Sequence, residues 1–404
     1  MGRELREIAK DLKASPKKVQ LIYAFNGTGK TRLSREFKEL VAPKCEGEEE
    51  SASSRDRILY YNAFTEDLFY WDNDLANDRE PKLKIQPNTF IDWVLREQGD
   101  TGIVENFQRY ADEKLMPLFH EVDVVRAGRK TGGKTYPEVT FSFETGSESS
   151  GSLKISKGEE RVFIWSVFYT LLQEVTSILD EPDSTKCDAS QYDKLEYVFI
   201  DDPVSSLDDT HLIELAVDLA NLIKRSYFYE RKGLKFVITT HNPLFYNVLH
   251  NELNNDLKNP VQGDAPPSLY KRGQSEKYKL EKQADGTFEL STSNDRPFSY
   301  HLFLLSEVRK AIENKNVSKY HFAFMRNILE KTATFLGYSH WEELLKESGL
   351  DPQKSSIVRR IHFSSHSAHA GEEITDIENK DIDQLDTLVN YLTNTYRFNR
   401  QEAK

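Results

Sequence analysis

The sequence predicts an α/β protein in two parts: a strand-and-helix domain over residues 1–290, and a smaller, mostly α-helical domain over 291–404. Three observations carry this. The apolar run Val19-Gln20-Leu21-Ile22-Tyr23 leads through a Gly-containing turn into a stretch of helical spacing from Arg32 to Phe37. Two further apolar runs, Tyr197–Ile200 and Phe236–Thr240, each end on polar residues, as strands of an open α/β sheet do at their ligand-binding end. Beyond residue 290 the pattern turns helical, with helices expected over 300–313, 318–336, 340–347, 355–363 and 381–396.

The bulk numbers set limits. The 404 residues are 38% hydrophobic and 30% charged, enough for two or three cores. The net charge of −12 provides no overall basic field, so any nucleic-acid site must be a local patch. The cysteines, Cys45 and Cys187, lie in polar segments, fit a reducing compartment and form no metal-spaced cluster. Met1–Glu7 is charged and lacks the apolar core of a signal peptide. Arg6 stands where a myristoylation signal needs Ser or Thr. The most apolar run, Val162–Leu172, is broken by Ser166 and Thr170 and reads as too short to span a bilayer. The expectation is a cytoplasmic protein with no membrane association.

Residues 3–13 read as a short amphipathic helix before the first strand. The turn Ala24-Phe25-Asn26-Gly27-Thr28-Gly29-Lys30-Thr31 then has the form of a phosphate-binding P-loop, with Ala24 where the first Gly is usual. Backbone N–H groups of Asn26, Gly27, Thr28 and Gly29 would close around phosphate oxygens. Lys30 would reach the terminal phosphates, and the Thr31 hydroxyl would ligate Mg²⁺. A Gly-rich turn that merely starts a helix is the plainer alternative. Residues 44–51 form an acidic loop with no assigned role. Ile58–Asn62 reads as a strand, the aromatic run from Phe64 to Trp71 as core, and the alternation of Val139, Phe141 and Phe143 as a half-buried strand.

Ile155-Ser156-Lys157-Gly158-Glu159-Glu160 runs into an apolar helix. Ser156 and Gly158 at its start suit an anion, or Ser156 is a simple N-cap. The strand ending in Asp201 and Asp202 delivers two carboxylates where open α/β sheets place ligands. Asp201 would hold Mg²⁺, and Asp202 would orient or deprotonate the attacking water. The loop Ser205-Ser206-Leu207-Asp208 follows, and the Phe236–Thr240 strand ends at His241, which can face a γ-phosphate.

P-loop, Ser-x-Gly-Glu signature, Asp-Asp-Pro, Ser-Ser-Leu-Asp loop and switch His together resemble an ABC-type ATPase. The nucleotide-binding residues this implies are Asn26, Gly27, Thr28, Gly29, Lys30, Thr31, Ser156, Gly158, Asp201, Asp202, Asp208 and His241, with ATP or GTP and Mg²⁺ held by Thr31 and Asp201. Asp202 replaces the usual Glu, and the glutamine loop has no counterpart beyond a candidate near Asn62–Glu66. SMC-like members place long coiled-coil arms between P-loop and signature. Only 124 residues separate Thr31 from Ser156 here, without sustained heptads. Residues 251–275 look loop-like, and Asp285-Gly286 marks a hairpin between Tyr278–Leu280 and Thr287–Leu290.

The last 114 residues hold six of the ten histidines, and their 15 basic residues nearly balance 16 acidic ones. Arg326 and Glu330, four apart, fall on one helix face. On spacing alone they are a surface ion pair, and His362 is a structural histidine. The whole chain resembles the PrrC-type anticodon nuclease family, which joins a compact ABC-type ATPase to a C-terminal helical nuclease of HEPN-like character. The resemblance implies a catalytic triad of Arg326, Glu330 and His362. It also implies an anticodon-reading peptide at Asn294–Tyr300, with Asp295 reading the modified wobble base of lysine tRNA. It further implies a homo-oligomer, a dimer or larger, kept silent by a type I restriction–modification complex and released during phage attack. A 2′-OH would attack the adjacent phosphorus without a metal, leaving a 2′,3′-cyclic phosphate and a 5′-hydroxyl. Arg326 would compensate charge, and Glu330 and His362 would divide the base and acid roles in either order.

Rivals stand beside this reading. Arg360 and His366 have the Arg…His spacing of HEPN ribonucleases, and His362, His366 and His369 could share a helix face and hold zinc. At the level of the whole protein, the alternative is an SMC-like or ABC-ATPase effector of DNA repair or defence whose C-terminal domain is a binding module.

Overall fold

The computed structural model of the chain describes residues 2–43, 57–62, 68–73, 80–86, 95–96, 99–126, 129–145, 148–149, 153–180, 192, 194–203, 209–229, 232–259, 268–283, 285–293, 299–345, 356–363 and 377–398. These fall into two compact units, Met1–Pro297 and Phe298–Lys404.

In the first unit, helix α1 (Leu5–Ala14) buries Leu5, Ile8, Ala9 and Leu12, the i, i+3, i+4, i+7 stripe of an amphipathic helix. Strand β1 (Val19–Tyr23) is buried throughout. Even its Gln20 is accommodated, because the side-chain amide donates to Leu12 O at 2.9 Å and ties strand to helix. Helix α2 (Lys30–Val41) follows the Gly-rich turn. Strand β2 (Ile58–Tyr61) comes next, then the short strands β3 (Phe69–Asp72) and β4 (Lys82–Ile85), and helix α3 (Thr101–Tyr110). A long hairpin of β5 (Leu115–Arg126) and β6 (Arg129–Thr145) leads to helix α4 (Lys157–Asp180). Then come β7 (Tyr197–Asp201), α5 (Asp209–Arg225), β8 (Lys235–Thr240), α6 (Pro243–Glu252), β9 (Ser275–Lys282) and β10 (Phe288–Thr292).

The main sheet runs β10-β9-β1-β8-β7-β2. The pairings from β9 through β2 are parallel, and β10 closes one edge antiparallel to β9. The fold is therefore α/β, as the buried runs predict. Phe37 of α2 packs 5.2 Å from the Tyr197 ring and 5.4 Å from that of Phe199, locking that helix to the strand that carries the carboxylates. A second, antiparallel sheet runs β3-β4-β6-β5. Its Val139 and Phe141 are buried, and Phe141 packs 5.1 Å from Phe163 of α4.

Three local expectations change. Val162–Leu172 is the middle of the 24-residue α4, which by length and composition could cross a bilayer; 72% of its most apolar window is buried in protein. Phe69 is core as expected, but Tyr70 is 54% exposed; positions 63–67 lie outside the described residues. The strand after Asp285-Gly286 continues past 290 to Thr292, and the two units divide at Pro297.

The second unit contains helices α7 (Tyr300–Glu313), α8 (Lys319–Leu336), α9 (Ser356–Phe363) and α10 (Asn379–Tyr396) around a core that includes Leu305, Met325, Leu329, Ile357, Ile361 and Leu388. The stretch expected as a helix over 340–347 is a 3₁₀ turn, Trp341–Leu345. Trp341, Leu344 and Leu345 are all buried, and a short 3₁₀ segment places three close-set apolar residues on the core together.

Candidate functional site

The first site lies at the C-terminal ends of β1, β7 and β8. Gly27 and Gly29 have φ of +78° and +101°, a left-handed geometry that lets the chain turn sharply from β1 into α2. The N–H groups at the start of α2 then point out of the helix. Ala24, where a Gly is usual, is fully buried and donates its N–H to Thr240 O at 2.9 Å, so its methyl group is accommodated. Lys30 is 7% exposed and folds back on its own loop. Its Nζ donates to Ala24 O (3.2 Å), Phe25 O (3.3 Å) and Asn26 Oδ1 (3.2 Å), and lies 3.6 Å from Asp202 Oδ2.

Thr31 Oγ1 donates to Asp201 Oδ2 at 2.8 Å, and Thr239 Oγ1 donates to the other carboxylate oxygen. Burial raises the pKa of Asp201 against these hydrogen bonds. The Thr31 hydroxyl and the Asp201 carboxylate are hard oxygen donors side by side. That set fits Mg²⁺, which takes one or two protein oxygens and completes its shell with phosphate and water. Burial also acts upward on Asp202, but the hydrogen bond from His241 and the Lys30 charge outweigh it and hold the carboxyl below its ordinary range. His241 Nδ1 lies 2.5 Å from Asp202 Oδ2, and Asp202 has φ of +56°. In this arrangement Asp202 faces both Lys30 and His241.

Ser156 caps α4 reciprocally. Its Oγ accepts from Glu159 N (3.2 Å), and its N–H donates to Glu159 Oε2 (2.6 Å). Gly158 sits in the first turn of the same helix. Asn62, near the candidate glutamine loop, is buried and donates to Tyr60 OH at 2.9 Å. Asp208 and the rest of its loop lie outside the described residues.

The second site is a cleft of roughly 480 Å³ in the helical unit, and Arg326, Glu330 and His362 all line it. Arg326 and Glu330 come from successive turns of α8, His362 from the end of α9. Arg326 Nε donates to Glu330 Oε1 at 2.7 Å, and its Nη1 donates to His362 O at 3.1 Å. One guanidinium thus joins the two helices. Glu342, which sequence reasoning did not single out, stands 3.0 Å from His362 Nε2, and the Trp341 ring lies 5.0 Å from the imidazole. Both come from the 3₁₀ turn that the helical reading of 340–347 hid. A carboxylate at the first turn of a segment just before a histidine-bearing helix was the only available signal.

Of the rival residues, Arg360 grips Asp381 with two nitrogens, Nε at 3.0 Å and Nη2 at 2.9 Å, in a pair 16% and 6% exposed. It therefore ties α9 to α10. His366, His369 and Asp295 lie outside the described residues. Among the described residues no group of three or more His, Cys, Asp or Glu is placed to hold a metal.

Residues 144–391 match a family model described as an AAA domain, a span that starts in β6 and ends in α10. An anticodon nuclease of Escherichia coli is 47% identical over 434 aligned positions, covering 100% of both chains. Among solved structures, the Smc head domain of Pyrococcus furiosus with an extended coiled coil, bound to the C-terminal domain of ScpA, is 10% identical. That match covers 54% of this chain and 37% of the other at a TM-score of 0.26. The Smc head bound to the C-terminal winged-helix domain of ScpA is also 10% identical, covering 69% and 90% at a TM-score of 0.32. Neither structural likeness bears on the fold described above.

Proposed function

The chain belongs to the anticodon nuclease family, as an endoribonuclease with an NTPase domain, and on that premise we propose that it cuts lysine tRNA at the wobble position under nucleotide control. The observation that carries the reading is the single cleft whose wall includes Arg326, Glu330 and His362.

The chemistry follows from those side chains. One of Glu330 and His362 removes the proton from a 2′-OH, and the 2′-oxygen attacks the adjacent phosphorus. The other protonates the departing 5′-oxygen. The Arg326 guanidinium, already held between α8 and α9, offsets charge on the pentacoordinate phosphorus. The RNA ends are a 2′,3′-cyclic phosphate and a 5′-hydroxyl, and the step requires no metal. Asp295 accepts hydrogen bonds from a donor-bearing modified wobble base.

In the NTPase domain, Mg²⁺ with ATP or GTP would be held by Thr31, Asp201 and Lys30, and the metal would neutralise phosphate charge. Ser156 and Gly158 would meet the nucleotide of a second copy, so nucleotide favours a dimer or larger assembly. A type I restriction–modification complex keeps the enzyme silent until phage attack, and this HEPN-like activity then serves as a defence toxin in the cytoplasm.

The test is to express the protein and probe cellular tRNA. The expected result is a nick in the lysine tRNA anticodon with a cyclic phosphate on the upstream fragment, absent from Arg326→Ala. Intact tRNA under activating conditions, or equal cutting by Arg326→Ala, overturns the proposal.

A further inference from the structure

Helix α8 feeds two cavities from adjacent stripes. Arg326, Glu330 and Thr334 (i, i+4, i+8) line the cleft described above. Ile328, Lys331 and Phe335 (i, i+3, i+7) line a second cavity of roughly 510 Å³. Lys331 and Thr334 border both, so the two cavities flank one ridge of the helix.

The two differ in chemistry. The first is walled by charged and polar groups. Among the described residues around the second, Lys331 alone carries a formal charge at neutral pH, because burial pulls the His301 pKa down and keeps that ring neutral. The rest of the wall is largely apolar, with the aliphatic Leu302, Leu305, Ile328 and Leu336 beside the rings of Phe335, Tyr396 and Phe398. Phe335 is 90% exposed, and Tyr396 and Phe398 add rings 6.3 Å apart from the end of α10. Leu336 and Tyr338 are exposed as well. A single exposed apolar side chain is ordinary, but three in four positions beside a cavity mark a surface meant to be covered. The helix does not fray there. Gly337 ends it with φ of +82°, and Tyr338 N donates to Ala333 O at 2.9 Å, so the aromatic group sits on a fixed cap.

We propose that this second cavity is a stacking subsite for the nucleobase next to the scissile phosphate, with Phe335 as the platform and Lys331 as the contact to the phosphate on the ridge. The proposal rests on the nuclease reading of the neighbouring cleft. Attack by a 2′-OH requires the sugar–phosphate backbone to splay, which unstacks a flanking base. Single-stranded RNA is then held by aromatic faces and a local cation. The apolar wall suits a base's π-face, Lys331 suits its phosphate, and Lys331 also borders the cleft that holds Arg326, Glu330 and His362. A second copy of the chain would cover the same rings, but a lysine bordering both cavities favours an anionic occupant that spans them.

The experiment uses the full-length protein and a lysine-tRNA anticodon stem-loop made uncleavable by a 2′-deoxy sugar at the attacking nucleotide. 2-Aminopurine is placed on either side of the scissile phosphate. Binding should quench one of the two probes. Phe335→Ser should abolish the quench at unchanged Tm, Phe335→Trp should restore it, and Lys331→Ala should weaken binding with a smaller salt dependence. On cleavable tRNA, Phe335→Ser should lower kcat/KM about 10-fold, within the range of losing one base–aromatic stack. Unaltered quenching and cleavage by Phe335→Ser would overturn the subsite. So would loss of the dimer in that variant with activity recovered at higher protein concentration, which would mark the rings as a copy-to-copy interface. Failure of the cleft itself reads differently: Arg326→Ala would cleave like wild type whatever the probes report.

Discussion

The carboxylate of Glu342 stands 3.0 Å from Nε2 of His362. A carboxylate at this distance favours a proton on Nε2 and orients the ring. Glu342 is a positioning residue in this reading, so its loss should act on turnover rather than on tRNA binding. Glu342→Gln should lower kcat roughly 10-fold with KM little changed, against about 10²–10⁴-fold for His362→Ala. Glu342→Asp should recover part of the loss. A change in KM alone, measured on purified tRNA, would assign Glu342 to substrate contact instead.

That relationship also marks where the sequence was legible and where it was not. Buried strands flanked by Gly27, Gly29, Asp201 and His241 are local patterns, and the order of the parallel sheet follows from them once β1 sits between β8 and β9. Helices α7 to α10 could be read from period alone, and α7 runs over Tyr300–Glu313 as expected. Glu342 could not be found this way. Its role depends on a 3₁₀ turn meeting the end of α9, a tertiary fact with no period in the chain. The pairing of Asp202 with both Lys30 and His241 was equally hidden, because it needs the register of β7 against β8 and a left-handed φ at an aspartate. Asp208, Asp295, His366 and His369 lie outside the described residues.

The Arg360–Asp381 pair separates the rival reading of the nuclease from a structural one. Both partners are largely removed from water, and removing one leaves an uncompensated charge, which typically costs about 3–5 kcal/mol. Arg360→Ala should therefore lower the Tm of the C-terminal unit and reduce activity through folding. Arg360→Lys should recover part of the stability. Full stability with lost cleavage in Arg360→Ala would point to a catalytic guanidinium and favour the Arg360–His366 alternative.

Lys18 gives the first unit a pH signature. Its Nζ donates to Ser226 O at 2.6 Å and Lys224 O at 3.3 Å, yet burial pushes its pKa down to about 7 from 10.5, against the charge of Asp180. Below about pH 7 the folded state carries the full cost of a buried ammonium. As the pH rises toward 10.5 the folded lysine has lost its proton while the unfolded one keeps it, so the unfolded state binds more protons and stability climbs. Lys277, pushed down to about 8 by burial, adds the same sign. Tm measured from pH 6.5 to 9 should rise, and Lys18→Met should flatten the rise. Parallel profiles for the two proteins would show that Lys18 is not its source.

The last prediction concerns the lock on the nucleotide site. Lys30 Nζ lies 3.6 Å from Asp202 Oδ2, and the same oxygen takes the Nδ1 hydrogen bond of His241. A terminal phosphate needs that lysine, so nucleotide binding competes with Asp202 for it. Asn keeps the shape and tolerates the left-handed φ of this position, whereas Ala adds backbone strain there. Asp202→Asn should therefore bind nucleotide at least as tightly as wild type, because the competing charge is gone. It should also hydrolyse more slowly by about 10² or more, because the carboxylate that would orient the attacking water is lost. Lys30→Ala should lose binding itself. Titration with a fluorescent nucleotide, combined with phosphate release, separates the two effects. Asp202→Asn hydrolysing at the wild-type rate would remove Asp202 from the reaction, and weaker binding by that variant would show that its carboxylate organises the loop rather than competing for Lys30.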